Sequence, residues 1–529
     1  MSVIAAPVYN QPQDYFDDML KLVRLRLDAY ERSQRAVEGS DIRRAFARVK
    51  TMEQAMGDRI EASLGEDIVI GLEFAMKAFY LTDFERHCVV MALAPELDGS
   101  IGDWYAALQP GAQRMPSIDF CIKTFTTDAK LRSRLAEHRW DVLEEFFCLS
   151  HDSPAMCSDL DLLLKLDRRM HAFACDLESE NLELKGVSDI EWPWDPLPNL
   201  IVGLDVPPLM TSFMKSIRSP RLLYVHGAVG CGRTLSVRYC CRDLRLPLIR
   251  VDMRMLVGRG EDYESSLRKI YRECRLRQSA VCFTHFEAVL ADGKEAFRYS
   301  FVKMLRYGCP YIFILSEKDW KPEYSLRDYT FIEMEIPSPG TAERIALWNG
   351  MLEGIPVEPA LSVNELAAKF SFTGGQIRGA IDKAVLLAVG EHKEYLDSEL
   401  IHRACRNLIS HKLGERATLI PIRYTWDDLI LPPMQKNMLR RACDQIRFSH
   451  TVYGEWNFGE KIAYGRGVSM LLTGPPGTGK TMSAQIIAGV LQLEIYKVDL
   501  SAVVSKYIGE TEKNLSDVFA EVKKSQSIL

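Results

Sequence analysis

No run of 18 uncharged apolar residues occurs in the 529-residue chain, and no basic segment followed by an apolar core opens it, so neither a membrane-spanning helix nor a secretory leader is expected. Cysteine is present at 13 positions, but the spacings that would give it a role are missing. There is no CxxC pair and no histidine at metal-ligand spacing beside one, so neither a zinc site nor a disulfide framework is expected. Cys240 and Cys241 are adjacent and read as packing residues, and a reducing cytoplasm is the expected compartment. A basic excess is also absent: 66 Lys and Arg stand against 72 Asp and Glu, for a formal net charge of −6. That balance argues against a general nucleic-acid or anionic-membrane binder. What remains, 47% apolar and 26% charged, is the composition of a globular protein, with length for about three or four domains.

Against this background one segment stands out. Gly474, Pro475, Pro476, Gly477, Thr478, Gly479, Lys480 and Thr481 form a complete phosphate-binding loop. The apolar run Val468 to Thr473 ahead of it reads as a buried strand, and Met482 to Leu491 behind it as a helix. A strand ending in a glycine-rich turn that opens a helix aims several backbone N–H groups and the positive end of a helix dipole at one spot. In such a loop Lys480 reaches the β- and γ-phosphates and the Thr481 hydroxyl ligates Mg²⁺, so ATP and Mg²⁺ are the expected cofactors.

The loop has an earlier counterpart. Gly227, Gly230, Gly232, Arg233 and Thr234 occupy the same relative positions 247 residues upstream (474 − 227 = 247), and the strand Leu248 to Met253 keeps that offset to Ile495 to Leu500. Two tandem copies of one domain are expected, each with strands alternating with helices around a parallel sheet. Roughly the first 190 residues differ in character. Phe16, Met19, Leu20, Val23, Leu27 and Tyr30 recur at helical spacing, and Thr82 with Glu85 spells a capping box whose helix Pro95 is expected to stop. Ser188 to Asn199, with three prolines, reads as a stiff linker. The expected division is a mainly helical region over 1–190, a first α/β domain over 191–415 and a second over 416–529.

The loop, then Val498, Asp499 and Leu500, then Ser505 to Glu512, resemble the first half of an AAA+ ATPase module. The likeness covers Tyr424 to Leu529 closely and Arg221 to about Ala388 more loosely. Asp83 to Asp98 and Val504 to Leu515 are similar to the tandem bacterial AAA proteins of phage-tail-like contractile injection systems, whose N-terminal region suggests a winged-helix arrangement. The resemblance implies tandem P-loop AAA+ domains of the α/β class, a parallel sheet with helices on both faces and a small helical lid, after a mainly helical N-terminal region. It further implies ATP hydrolysis by a homo-oligomeric ring, with six subunits expected, acting on a protein client. Lys506, Tyr507, Ile508 and Gly509 then fall where such motors carry a pore loop. Tyr507 is either a residue that grips substrate or a packing residue, and its polar neighbours favour the first.

The first copy departs from the family pattern where chemistry would lie. Arg233 replaces the loop lysine, and a planar guanidinium does not substitute for a flexible ammonium. In Val281 to Glu287 an apolar strand is followed by His285 and Phe286 where the resemblance implies Asp and Glu, so His285 reads as structural. Arg378, in Phe372 to Arg378, matches a sensor arginine and either touches nucleotide or is a solvated helix charge. Arg327 is a weak arginine-finger candidate. In the second copy Ser527, Ile528 and Leu529 read as the start of the strand that would end in the acidic pair, so the chain is expected to be a fragment whose catalytic acids lie beyond it. Two other functions stay open: a nucleotide-gated assembly scaffold that threads nothing and, more weakly, a nucleic-acid motor.

Overall fold

The computed structural model describes residues 8–35, 39–137, 141–149, 159–175, 182–216, 221–305, 309–322, 329–413, 417–448, 468–491 and 493–498, with isolated positions from 515 to 529. These group into two compact units, one of residues 1–197, 207–226 and 236–334, the other of 198–206, 227–235 and 335–529.

The first unit opens with α1 (Pro12–Gln34), which starts on a proline whose missing N–H is an orphan in a first turn anyway. Its predicted face holds: Phe16, Met19, Val23, Leu27 and Tyr30 are buried, with Leu20 packed against them. It lies along α2 (Gly39–Gly65), with α3 (Gly71–Ala78), α4 (Asp83–Leu97), α5 (Gly99–Leu108) and α6 (Ile118–Phe125) following. The capping box of α4 forms as expected, the Thr82 and Glu85 side chains each accepting from the other's backbone N–H. Pro95 does not stop this helix, which continues to Leu97. A proline deprives the carbonyl four residues earlier of its donor. Here that carbonyl belongs to Met91, and the Tyr105 hydroxyl of α5 donates to it at 3.0 Å. After α6, Cys148–Leu149 pairs antiparallel with Lys165–Leu166, and Ser117 bridges Leu163, giving the helices a small β wing.

The same unit contains most of a six-stranded sheet: β1 (Ser188–Glu191), β2 (Arg221–Gly227), β3 (Leu248–Asp252), β4 (Ala280–Thr284), β5 (Tyr311–Ser316) and β6 (Thr330–Ile336), in the order β1-β3-β4-β5-β2-β6. Strands β3, β4, β5 and β2 run parallel to one another in that order, and β4 is buried at every position, as expected for strands covered on both faces. The expected linker is a strand at its start. Ser188–Glu191 pairs antiparallel with β3 at the sheet edge, where Arg250 bridges Asp189 and Glu191. The prolines act only afterwards, where Trp192 and Trp194 stack at 5.1 Å and the Asp195 carboxylate accepts from the Trp192 N–H. Helices α7 (Arg233–Leu244) and α8 (Tyr263–Leu276) follow β2 and β3. Arg169 donates to both carboxylate oxygens of Glu273 on α8, at 2.7 and 3.1 Å, and Arg272 pairs with Asp167 at 2.8 Å. These nearly buried ion pairs fix the helical region against the sheet's covering helix; removing one partner would leave a charge uncompensated.

The second unit contains a four-helix group, α9 (Thr341–Leu352), α10 (Val363–Lys369), α11 (Gly374–Gly390) and α12 (Ser398–Leu413), around Trp348, Phe370, Phe372, Ile377 and Ile381. It continues with β7 (Ala417–Leu419), α13 (Pro433–Arg447), α14 (Lys480–Leu491) and β8 (Tyr496–Val498). β7 pairs antiparallel with β8, and Ile495 bridges Ile528 in parallel. The repeat offset carries Ile528 onto Val281 of β4 (528 − 247 = 281), so this arrangement reproduces β1 against β3 and β3 against β4.

His87 of α4 is buried beside Thr124, and burial holds its imidazole well below its ordinary pKa. The unfolded chain therefore takes up a proton near pH 6.5 that the folded chain refuses. Stability should be unaffected above that pH and fall as pH drops below it, by at most ~1.4 kcal/mol per unit. Thermal melts between pH 7.5 and 5.5 should show this slope in the native chain and a shallower one in His87→Gln.

Candidate nucleotide-binding loops

The downstream loop is built from backbone that only glycine adopts cheaply. Gly474 has φ of +152°, and Gly477 and Gly479 both have +83°. At Gly479 a side chain would meet Leu429 at 3.6 Å. α14 begins at Lys480, so the first amides of the helix lack intrahelical acceptors and open toward the loop's exposed side. Lys480 is folded back: its Nζ donates to the carbonyls of Gly474 at 2.8 Å and Pro475 at 2.7 Å. Thr478 donates to Pro475 O at 2.9 Å, and the Gly479 carbonyl accepts the first bond of the helix from Ser483. The loop is thus an exposed cradle of main-chain donors whose ammonium group is held, among the described residues, by two carbonyls, and its donor set fits a polyphosphate with a divalent cation at Thr481.

One neighbour of this loop was not evident from the motif. The segment Thr425–Leu429 is closed by Asp428, which accepts from the Thr425 N–H and hydroxyl, and Lys436 of α13 donates to the carbonyls of Trp426 and Leu429. Leu429 is thereby buried against Gly479 and the core of α13 and α14. The expected strand Val468–Thr473 does not join a ladder among the described residues, and Leu471 on it is exposed. An apolar run becomes a strand only where a neighbour pairs with it. Lys506, Tyr507, Ile508, Gly509, Asp499 and Arg327 lie outside the described residues.

The upstream loop repeats the backbone at the same offset. Gly227, Gly230 and Gly232 have φ of +152°, +78° and +104°. Its surroundings differ. The Thr373 hydroxyl donates to Val229 O at 2.8 Å, and the Gly375 N–H at the start of α11 donates to Gly230 O at 2.9 Å. The two chains touch so closely that a Cβ on Gly230 would stand 2.7 Å from Thr373 Oγ1, and one on Gly375 2.8 Å from the Gly230 Cα. The crest of this loop is therefore stitched to a helix start. Arg233 lies beside Cys231, whose thiol burial pushes up while the guanidinium partly offsets the shift. Thr234 follows in the first turn of α7, and Arg378 is solvent-exposed on α11.

The Phe286 ring is buried among Phe301, Trp320 and Tyr224, so it faces the core and not the lip of the sheet. The residues at the lip are Thr284, which donates to Val251 O at 3.0 Å, and His285, which has φ of +56°. His285 Nδ1 stands 3.4 Å from the Asp252 carboxylate at the end of β3. Burial raises that carboxyl, but hydrogen bonds from Arg254 and the nearby His285 outweigh it and hold Asp252 below the usual carboxylate range. Neither lip position on β4 carries the carboxylate that would activate a water.

Residues 470–529 match the family of ATPases associated with various cellular activities, residues 340–411 the contractile injection system ATPase helical domain, and residues 2–188 a winged helix domain variant. Human peroxisomal ATPase PEX6 is 22% identical over 409 residues, covering 66% of this chain and 40% of that protein. Protein SAV of Sulfolobus acidocaldarius is 23% identical over 387 residues, covering 66% and 47%. The vesicle-fusing ATPase of Arabidopsis thaliana is 49% identical over 61 residues, 11% of this chain and 8% of that protein. The chain spans under half the length of each of these relatives. Among the described residues no helix is long and apolar enough to cross a membrane.

Two substitutions probe the upstream copy. Phe286→Glu should not create an active site; it exchanges a fully packed ring for a buried charge and should destabilise the first unit by at least ~3 kcal/mol, read as a drop in thermal midpoint. Thr373→Val removes the donor to the loop crest and should cost about 1 kcal/mol, with faster hydrogen exchange at the α11 start.

Proposed function

We propose that this chain, which carries an AAA ATPase domain and the helical domain of contractile-injection-system ATPases, is the subunit of an ATP-driven ring that remodels or threads protein substrates. Magnesium-bound ATP is handled by the downstream loop. The observation that carries this reading is the contrast between two loops of one backbone shape: one exposed with its lysine present, the other stitched to α11 with an arginine in the lysine position. The Gly477, Thr478 and Gly479 amides would hold phosphate oxygens, Lys480 would leave the Gly474 and Pro475 carbonyls for the β- and γ-phosphates, and the Thr481 hydroxyl would hold the metal. The bound nucleotide supplies the free energy of its terminal phosphoanhydride. We assign the upstream copy a structural part in the ring, and Tyr507 with Ile508 the substrate contact. A homo-hexamer is the expected assembly.

Replacing Lys480 by Ala should weaken MgATP binding at least ~100-fold by calorimetry while leaving the circular dichroism spectrum unchanged, because among the described residues its ammonium group bonds to two loop carbonyls. Unchanged affinity would remove the assignment. A second reading, an assembly scaffold gated by nucleotide, draws support from the stitched upstream loop. In a ring-forming preparation, Tyr507→Ala should abolish substrate-stimulated ATP turnover if the protein threads polypeptide, and should leave turnover unchanged if it is a scaffold.

A further inference from the structure

Strand β1 forms one edge of the six-stranded sheet, and half of its backbone is turned away from its neighbour. Ala280 donates to Pro247 O at 2.9 Å, which sets the odd-numbered residues of β3 toward β4 and the even-numbered ones toward β1. Asp252 accordingly donates to Val187 O, also at 2.9 Å. Asp189 and Glu191 therefore bond inward, and Ser188 and Ile190 direct their N–H and C=O groups outward, where no strand pairs with them among the described residues. Natural edges are commonly blunted by proline or by charge. Here the first proline, Pro193, falls beyond the strand, and arginines engage both acids: Arg250 bridges Asp189 and Glu191, and Arg238 shares Glu191.

Beside this edge lies a cleft of about 450 Å³. Ser188 and Ile190 line it from the strand, Ile249 from β3, and Glu273 with Arg277 from α8. The Ile190 side chain is left 38% exposed there. The carboxylates are already taken: Glu273 accepts from Arg169 and Arg277, and Asp189 from Arg250. The exposed Lys185, which also lines the cleft, has no ion-pair partner among the described residues. We infer that β1 accepts an extended segment of a partner protein as a seventh strand, with a large apolar side chain of that segment in the cleft and one of its carboxylates on Lys185. Main-chain bonds to Ser188 and Ile190 hold such a segment whatever its sequence, and the cleft reads its alternate side chains. The lone ammonium selects an acid. A second copy of β1 fits less well, because both of its carboxylates are already engaged by arginines. The site shares no residue with either phosphate loop, so it does not depend on how nucleotide is used.

The test uses the full chain and a fluorescent, C-terminally amidated hexapeptide, Thr-Val-Thr-Phe-Thr-Glu, which places Val, Phe and Glu on one face of a strand. Saturable binding of one peptide per chain is expected. N-methylation of one alternate set of peptide residues should abolish binding and of the other set should leave it, because only one set faces the edge. Ile190→Pro removes an outward donor without touching a bond to β3 and should weaken binding at least ~10-fold, whereas Ile190→Val should bind as the native chain does. Lys185→Glu, at an exposed position, should weaken binding ~5-fold and should instead favour the peptide with Lys in place of Glu. That exchange keeps the test decisive if the proline variant folds poorly. Absence of saturable binding, equal loss from both methylated sets, or unchanged affinity in Ile190→Pro and Lys185→Glu would overturn the inference. So would self-association of the native chain that Ile190→Pro abolishes, since a second copy would then occupy the edge.

Discussion

Several successive main-chain amides can face one point only if the chain passes through left-handed backbone between them, and both loops depend on that constraint. Gly227, Gly230 and Gly232, like Gly474, Gly477 and Gly479, take that backbone at intervals of three and two residues. A side chain at these positions would be strained wherever there was room for it, and at Gly227 there is none, since a Cβ would stand 2.3 Å from Ile336 O. The glycines fix the shape of the loop; its chemistry comes from the residue before the threonine and from what packs on the crest. In one copy that is an ammonium resting on carbonyls, in the other a guanidinium beside a thiol and a threonine hydroxyl bonded to the crest.

This division explains how far the sequence could be read. The repeat was legible because glycine spacing is a direct record of backbone conformation, and the α1 face and α4 cap because their signals are local. The stitched loop crest was not legible, since it depends on Thr373 and Gly375, more than 140 residues away, and on two backbones approaching closely enough to exclude a side chain. The direction of the Phe286 side chain was not legible. Strand alternation continues only while the strand does, and the turn into left-handed backbone at His285 sends Phe286 into the core.

Proline misled twice, for opposite reasons. At Pro95 the expected helix stop fails because Tyr105 supplies the hydrogen bond that proline withholds, a compensation made by another helix and invisible to any local rule. In Ser188 to Asn199 the prolines do what their chemistry requires, but only from position 193 onward. Ser188–Glu191 ahead of them forms an edge strand, and Arg250 on the adjacent strand pairs with its two acids, Arg238 sharing Glu191.

The paired guanidinium and carboxylate groups of Arg169, Glu273, Arg272 and Asp167 join the helical region to α8 with little slack. A tether of flexible chain would absorb a pull through extension before passing it on. Here a displacement of the N-terminal helices would pass directly to the helix that backs the parallel strands.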